Sequence, residues 1–129
     1  MLIVPTELRA SKIHGIGVFT LKPVKKGQVV WRFDTRVDIV YSVDEVNSLP
    51  DVFTDMLCIY GYWQEENELF MLQGDFARHI NHSKQSNLQA LGVAFDNWIA
   101  ARDIKAGEEL TVDYSKACDY VKETGRLAP

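Results

Sequence analysis

The chain has little that would staple it, anchor it or hold it open. Only two of its 129 residues are cysteine, Cys58 and Cys118, and neither has the spacing of a metal-binding pair. Both thiols are read as reduced, either buried as small hydrophobes or bland at the surface, with a disulfide between the two as the lesser alternative. Long apolar runs are missing too. Stretches such as Gly92 to Phe95 or Met56 to Tyr60 fall far short of the roughly 18 residues that a membrane span requires. Met1-Leu2-Ile3-Val4 is broken by Pro5 and followed by Glu7 and Arg9, without the basic start and apolar centre of a secretory leader. An intracellular, soluble protein with no membrane partner is the expectation. An excess of positive charge is also absent: 14 Lys and Arg stand against 18 Asp and Glu, for a net charge of −4 and a pI near 5.3. Binding to nucleic acid phosphates needs clustered cations, so no direct nucleic acid partner is expected, and a basic partner suits the acidic body better. Disorder is excluded by a hydrophobic content of 47%, which is ordinary for one folded core in a chain of this length.

What is present reads as strands. Short runs rich in Val, Ile, Phe, Tyr and Trp are punctuated by Gly, Pro, Asn and Asp, which predicts a mostly β fold with minor helix. Strands are expected over 17–21, 28–33, 57–63, 69–73, 88–95 and 98–102, with the pair 57–63 and 69–73 joined by the polar turn 64–68. On such a strand Tyr60 and Tyr62 would face the same way. Ser42-Val43-Asp44-Glu45 has the form of a capping box and predicts a helix over 43–49, ended by Pro50. Val24-Lys25-Lys26-Gly27 and Ile104-Lys105-Ala106-Gly107 share one order of residue types before an apolar strand, and each glycine is expected to take a positive φ. From Ser115 the tail has room for a helical turn.

Three segments carry distinctive chemistry. The first is His14-Gly15-Ile16-Gly17. Alternate glycines mark a bulge or tight turn, or let a ligand approach the backbone closely. The second is Arg78-His79-Ile80-Asn81-His82-Ser83, continuing to Asn87. Asn and His each donate and accept, so the pair can read the edge of an adenine or satisfy a loop backbone. The third, Gly107-Glu108-Glu109-Leu110-Thr111-Val112-Asp113-Tyr114, is an acidic turn running into a short strand that ends on a tyrosine.

In this order, over residues 12–114, these segments resemble the SET domain family of protein-lysine methyltransferases, and most closely its small stand-alone members of viral or bacterial type. The second matches the family's RFINHSCxPN pattern and the third its GEELTxDY signature. The resemblance implies a single domain over 1–129, with several short twisted sheets forming a β-clip and a C-terminal pseudoknot. Residues 34–74 correspond to the family's variable insert and 115–129 to a tail. It further implies S-adenosylmethionine as methyl donor, with S-adenosylhomocysteine as product, and a lysine ε-amine on a protein as acceptor, a histone or other basic protein among the candidates. If the chain acts on chromatin, the nucleus joins the cytoplasm as a location. A non-catalytic module of the same fold, binding peptide or cofactor, is the competing reading.

Roles carried over by the resemblance are specific. Gly15, Ile16 and Gly17 would hold the methionine end of the cofactor, Arg78, Asn81 and His82 the rest of it, and Tyr114 would be catalytic. Tyr62, Val112 and Tyr120 are assigned to the surroundings of the lysine channel. Tyr62 serves equally well as core packing, Val112 stands where relatives carry an aromatic that governs the number of methyl groups, and Tyr120 either covers the adenosine from the tail or anchors the C-terminus. Asp113, Glu108 and Glu109 are read as stabilisers of turns and neighbouring backbone amides. His79 replaces the family's usual aromatic and is read as a packing substitution. Lys84 and Ser86 stand where many relatives have a cysteine and a proline. The cysteine belongs to a zinc module that follows the domain in those relatives, so no metal is expected here. Without that module, the chain's own tail or a second copy in a homodimer would complete the lysine channel.

Overall fold

The computed structural model describes residues 1–64, 67–92 and 97–117. Strands β1 (Thr6–Ala10) and β2 (Ile16–Thr20) form an antiparallel hairpin, followed by β3 (Val29–Trp31) and β4 (Ile39–Ser42). Two helices come next, α1 (Val43–Asn47) and α2 (Asp51–Tyr60). They lead to β5 (Gly61–Gln64), β6 (Leu69–Leu72) and a 3-10 turn over Phe76–His79. The chain continues through β7 (Asn81–His82), β8 (Leu88–Ala90), β9 (Trp98–Ala100), β10 (Thr111–Val112) and α3 (Tyr114–Ala117). Among the described residues these strands form four small sheets: β1-β2, β3-β9-β8, β4-β6-β5, and β7 with β10. The last pair is parallel, with Thr111 opposite Asn81 and Val112 opposite His82.

The two similar turns pair with each other. Val24 and Ile104 exchange backbone hydrogen bonds at 2.9 and 2.8 Å, and Gly27 and Gly107 have φ of 83° and 84°. Both glycines therefore occupy the left-handed region that side chains disfavour. Beyond that pairing, the segment 107–112 runs beside β2, with Leu110 N–H donating to Val18 O at 2.7 Å, and then enters the ladder with β7. It is held on its other side by Asn87, whose amide donates to Glu109 O at 2.8 Å and accepts from Thr111 N–H at 2.9 Å. Such clasping from both sides is the arrangement expected of the threaded C-terminus.

Val18, Val30, Trp31, Met71, Ile80, Trp98 and Leu110 are buried in one core where the small sheets meet, with the Trp31 and Trp98 rings 5.0 Å apart. A second cluster of Val46, Leu57 and Leu72 seats α1 and α2 on the β4-β6-β5 sheet.

Several boundaries differ from the sequence reading. The capping box at Ser42 and Glu45 forms as expected, although α1 is shorter than 43–49. Pro50 does not simply end a helix. It stands at the start of α2, so residues 57–60 are helical where a strand was expected. Tyr60 is consequently on a helix end and Tyr62 on β5, and the two do not share a strand face. The expected pairing of the next two strands holds, with Tyr62 opposite Met71. Strands β8 and β9 are shorter than 88–95 and 98–102, and residues 93–96 lie outside the described ones.

Candidate active site

The β1–β2 hairpin presents the glycine segment. Its turn closes by Ser11 N–H donating to Gly15 O at 2.8 Å, and the Ser11 hydroxyl accepts from the Ile13 and His14 amides at 2.9 and 3.3 Å. The same hydroxyl donates into the Glu109 carboxylate, 2.8 and 2.9 Å from its two oxygens. Glu109 lies against the bare Cα of Gly17: a Cβ there would fall 2.2 Å from Glu109 Oε1. The missing side chain thus makes room for a carboxylate of the threaded segment.

Asn81 completes this junction. Its amide nitrogen donates to Glu109 Oε1 at 2.8 Å and lies 3.1 Å from both His14 O and Ile16 O. Its side-chain donors thus tie it to the backbone of the glycine turn and set that turn's position. Next to it, His82 accepts from the Tyr114 amide through Nδ1 at 3.1 Å. Accepting there requires a neutral ring with its proton on Nε2. Asp113, buried behind it, accepts from the Ser115 amide and hydroxyl at 3.1 and 2.7 Å and opens α3.

Tyr114 is half-buried, and its hydroxyl donates to Ile80 O at 2.6 Å. Its ring is edge-on to Tyr62, with centroids 6.3 Å apart, and 5.3 Å from His82. Tyr62 is buried between Tyr114 and Trp98, so it is core packing and a neighbour of Tyr114 at once. Arg78 donates from Nε to Gln73 O at 2.9 Å, and its other N–H groups have no partner among the described residues.

These side chains meet at one cleft of about 440 Å³. Gly15, Ile16, Arg78, Asn81, His82 and Tyr114 line it, and so do His14 and His79. The size lies in the range of small-ligand sites. Gly17 sits just behind, under Glu109. Val112 lines a different cleft of about 380 Å³ together with Asp113, Lys84 and Leu88, although it is the register partner of His82. Tyr120 lies outside the described residues, as does Cys118. Cys58 is exposed, and partial burial and Asp55 push its thiol up from the ordinary range.

Sequence reading missed Ile59 and Tyr60, which the end of α2 brings to the cleft wall. Nothing in the motifs marks them. His79 does pack as expected, edge-on to Tyr60 at 5.5 Å, but it faces the cleft as well. Burial, and secondarily Arg78, hold its imidazole below the usual range, so it is neutral near pH 7.

A family model for the SET domain matches residues 15–115. The chain belongs to the SET domain family. Among curated relatives of this SET domain is the histone-lysine N-methyltransferase SUV39H1 of Xenopus laevis, 28% identical over 127 residues that cover 88% of this chain and 30% of the relative. The chain thus spans less than a third of that relative's length. The solved Chaetomium thermophilum polycomb repressive complex 2 contains a similar fold at 27% identity and a TM-score of 0.65, covering 86% of this chain and 15% of that one. The Plasmodium falciparum protein PFL0690c has the same fold at 19% identity and a TM-score of 0.60, and there the match covers 93% of the other chain. A small stand-alone SET structure is therefore among its neighbours.

Proposed function

We propose that this SET domain transfers a methyl group from S-adenosylmethionine to the ε-amine of a lysine on a protein substrate. One observation carries the reading: the glycine turn, Arg78, Asn81-His82 and Tyr114 converge on a single cleft of about 440 Å³. The donor set fits the cofactor. The uncommitted N–H groups of Arg78 suit a carboxylate, the Nε2 proton of His82 suits a nucleoside acceptor, and the faces of Tyr60 and His79 suit a flat base. When bound, S-adenosylmethionine supplies an electrophilic methyl group on a positively charged sulfur.

The chain's own residues would do the rest by positioning. A free lysine has a pKa of about 10.4, so its nucleophilic form is scarce at neutral pH. The aromatic walls of Tyr62 and Tyr114 would lower that value by excluding water. With its proton given to Ile80 O, the Tyr114 hydroxyl can serve an incoming amine only as an acceptor. It would then hold an amine N–H and leave the nitrogen lone pair pointing at the methyl group, and such alignment supplies much of the rate. Val112, beside Tyr114 in sequence but on the second cleft, would line the far end of the lysine path and leave it wide. The acidic body and the histone-lysine methyltransferase relatives favour a basic protein, such as a histone, as substrate. The tail that includes Tyr120, or a second copy of the chain, would close the channel.

Tyr114→Phe tests the catalytic reading against the binding-module one. The expected outcome is a fall in turnover of roughly a hundredfold, the range of one positioned polar group, with calorimetric affinity for S-adenosylmethionine kept within about threefold, since the ring and its packing remain. Full turnover in the variant would sink the mechanism.

A further inference from the structure

All three histidines of the chain, His14, His79 and His82, line the same cleft as Arg78, and among the described residues no aspartate or glutamate lines it. Of the three rings, that of His82 takes the Tyr114 amide, whereas His14 offers Asn81 its backbone carbonyl and not its imidazole. The His79 ring is placed by packing. It ends the 3-10 turn over Phe76–His79, where the family pattern has an aromatic, and its ring meets Tyr60 edge-on at an interplanar angle of 75°. Tyr60 comes from the end of α2.

We propose that His79 is a charge-selecting residue of this cleft, favouring the sulfonium-bearing nucleoside while its imidazole is neutral and losing that preference once it is protonated. The inference rests on the methyl-donor reading given above. S-adenosylmethionine carries one more positive charge than S-adenosylhomocysteine, because a sulfonium becomes a thioether when the methyl group leaves. A cleft wall that becomes cationic therefore penalises the donor more than the product. The charged and titratable groups around His79 do not offset this. Arg78 adds positive charge from the same turn, His14 and His82 face the cleft from the hairpin and the ladder, and Tyr60 and Tyr114 are neutral phenols. The carboxylates that flank the turn and the ladder, Asp75 and Asp113, line no part of this cleft. Asp75 accepts from the Leu2 and Ala77 amides at 2.6 and 3.0 Å, and Asp113 lies 3.8 Å from His82 Nδ1 and is bonded to Ser115.

The direction with pH follows from the position of the imidazole. Its folded value lies below the ordinary histidine range, so the neutral form holds through physiological pH, and a bound cation lowers it further. Affinity for the sulfonium nucleoside is therefore full above that value and declines as pH falls through it.

The test is calorimetric titration of the whole chain with each nucleoside between about pH 8 and pH 4.5, a span carried below the ordinary imidazole range because His79 lies beneath it. In the unsubstituted protein, affinity for S-adenosylmethionine should fall about tenfold more than affinity for S-adenosylhomocysteine, the order expected of one added charge several ångströms away. In His79→Phe, which keeps an aromatic edge on Tyr60, the ratio of the two affinities should stay flat with pH. A ratio that moves as much in His79→Phe as in the parent would overturn the inference and assign the effect to His14 or His82. Imidazole NMR of the unsubstituted chain tests it without any substitution: the His79 titration midpoint should be lower with S-adenosylmethionine bound than with S-adenosylhomocysteine, and coincident midpoints would overturn it. Absence of binding by either nucleoside at every pH would remove the methyl-donor reading and this inference together, whereas binding of both at a constant ratio removes the inference alone.

Discussion

Glu109 holds three pieces of chain at one carboxylate: the Ser11 hydroxyl, the Asn81 amide and the bare Cα of Gly17. Gly17→Ala would drive a methyl group into Oε1 and push the carboxylate off both partners. The expected cost is about 1–3 kcal/mol, typical of an overpacked site, seen as a lower denaturant midpoint together with weaker nucleoside binding. An unchanged midpoint would mean that Glu109 moves aside without consequence. Residue by residue, the site was legible in identity and less so in reason. The glycine pair was recognisable from its spacing, yet Gly17 is required by a carboxylate whose approach depends on a fold no local spacing reveals. Asn81 was recognisable too, but its amide serves the hairpin backbone. His79 showed its packing role through the aromatic it replaces, whereas its cleft face depends on Tyr60, which no motif marks.

Among elements, α2 was read as a strand, and β1 and β4 were not anticipated. Met56 to Tyr60 is a short apolar run that suits a buried strand as well as a helix. The helix prevails because Phe53, Met56, Leu57 and Tyr60 recur at helical spacing, and they cluster with Val46 and Leu72. Strands β5 and β6 were readable because a polar turn joins them, whereas β4 was not anticipated, and the paired glycine turns even showed their φ. The ladder between β7 and β10 was legible only through family resemblance, since its partners are far apart in sequence. Asn87 ties that ladder to the entry of β8: besides its three side-chain bonds, its backbone N–H donates to Thr111 Oγ1 at 3.2 Å. Asn87→Ala would leave the Thr111 amide and the Glu109 carbonyl unpaired in a buried setting, at a cost of about 2–3 kcal/mol. Urea unfolding would show this as a shifted midpoint, and a shift near zero would mean that water replaces the side chain.

At the scale of the whole molecule, charge and size exclude more than they assign. No helix among the described residues is long and apolar enough to cross a membrane. No group of three or more His, Cys, Asp or Glu side chains among them is placed to hold a metal. With Lys84 where many relatives have a cysteine, chelation should leave both the melting temperature and nucleoside binding unchanged. A melting temperature several degrees lower in EDTA, by differential scanning calorimetry, would reveal a structural metal.

The clasp around residues 107–112 has a consequence for how the protein comes to be active. The cleft owes one wall to a hairpin near the start of the chain and another to a tyrosine reached only after the threaded segment. Bringing such distant pieces together is slow compared with forming local contacts. Until that last passage is made, Tyr114 has no carbonyl to bond and Asn81 no carboxylate to share. On the proposed methyl-donor reading, an incompletely assembled chain would have no half-formed site with which to capture a nucleoside. Ligand occupancy would then act as a latch on the finished topology, stabilising it in proportion to the logarithm of nucleoside concentration once the site is near saturation.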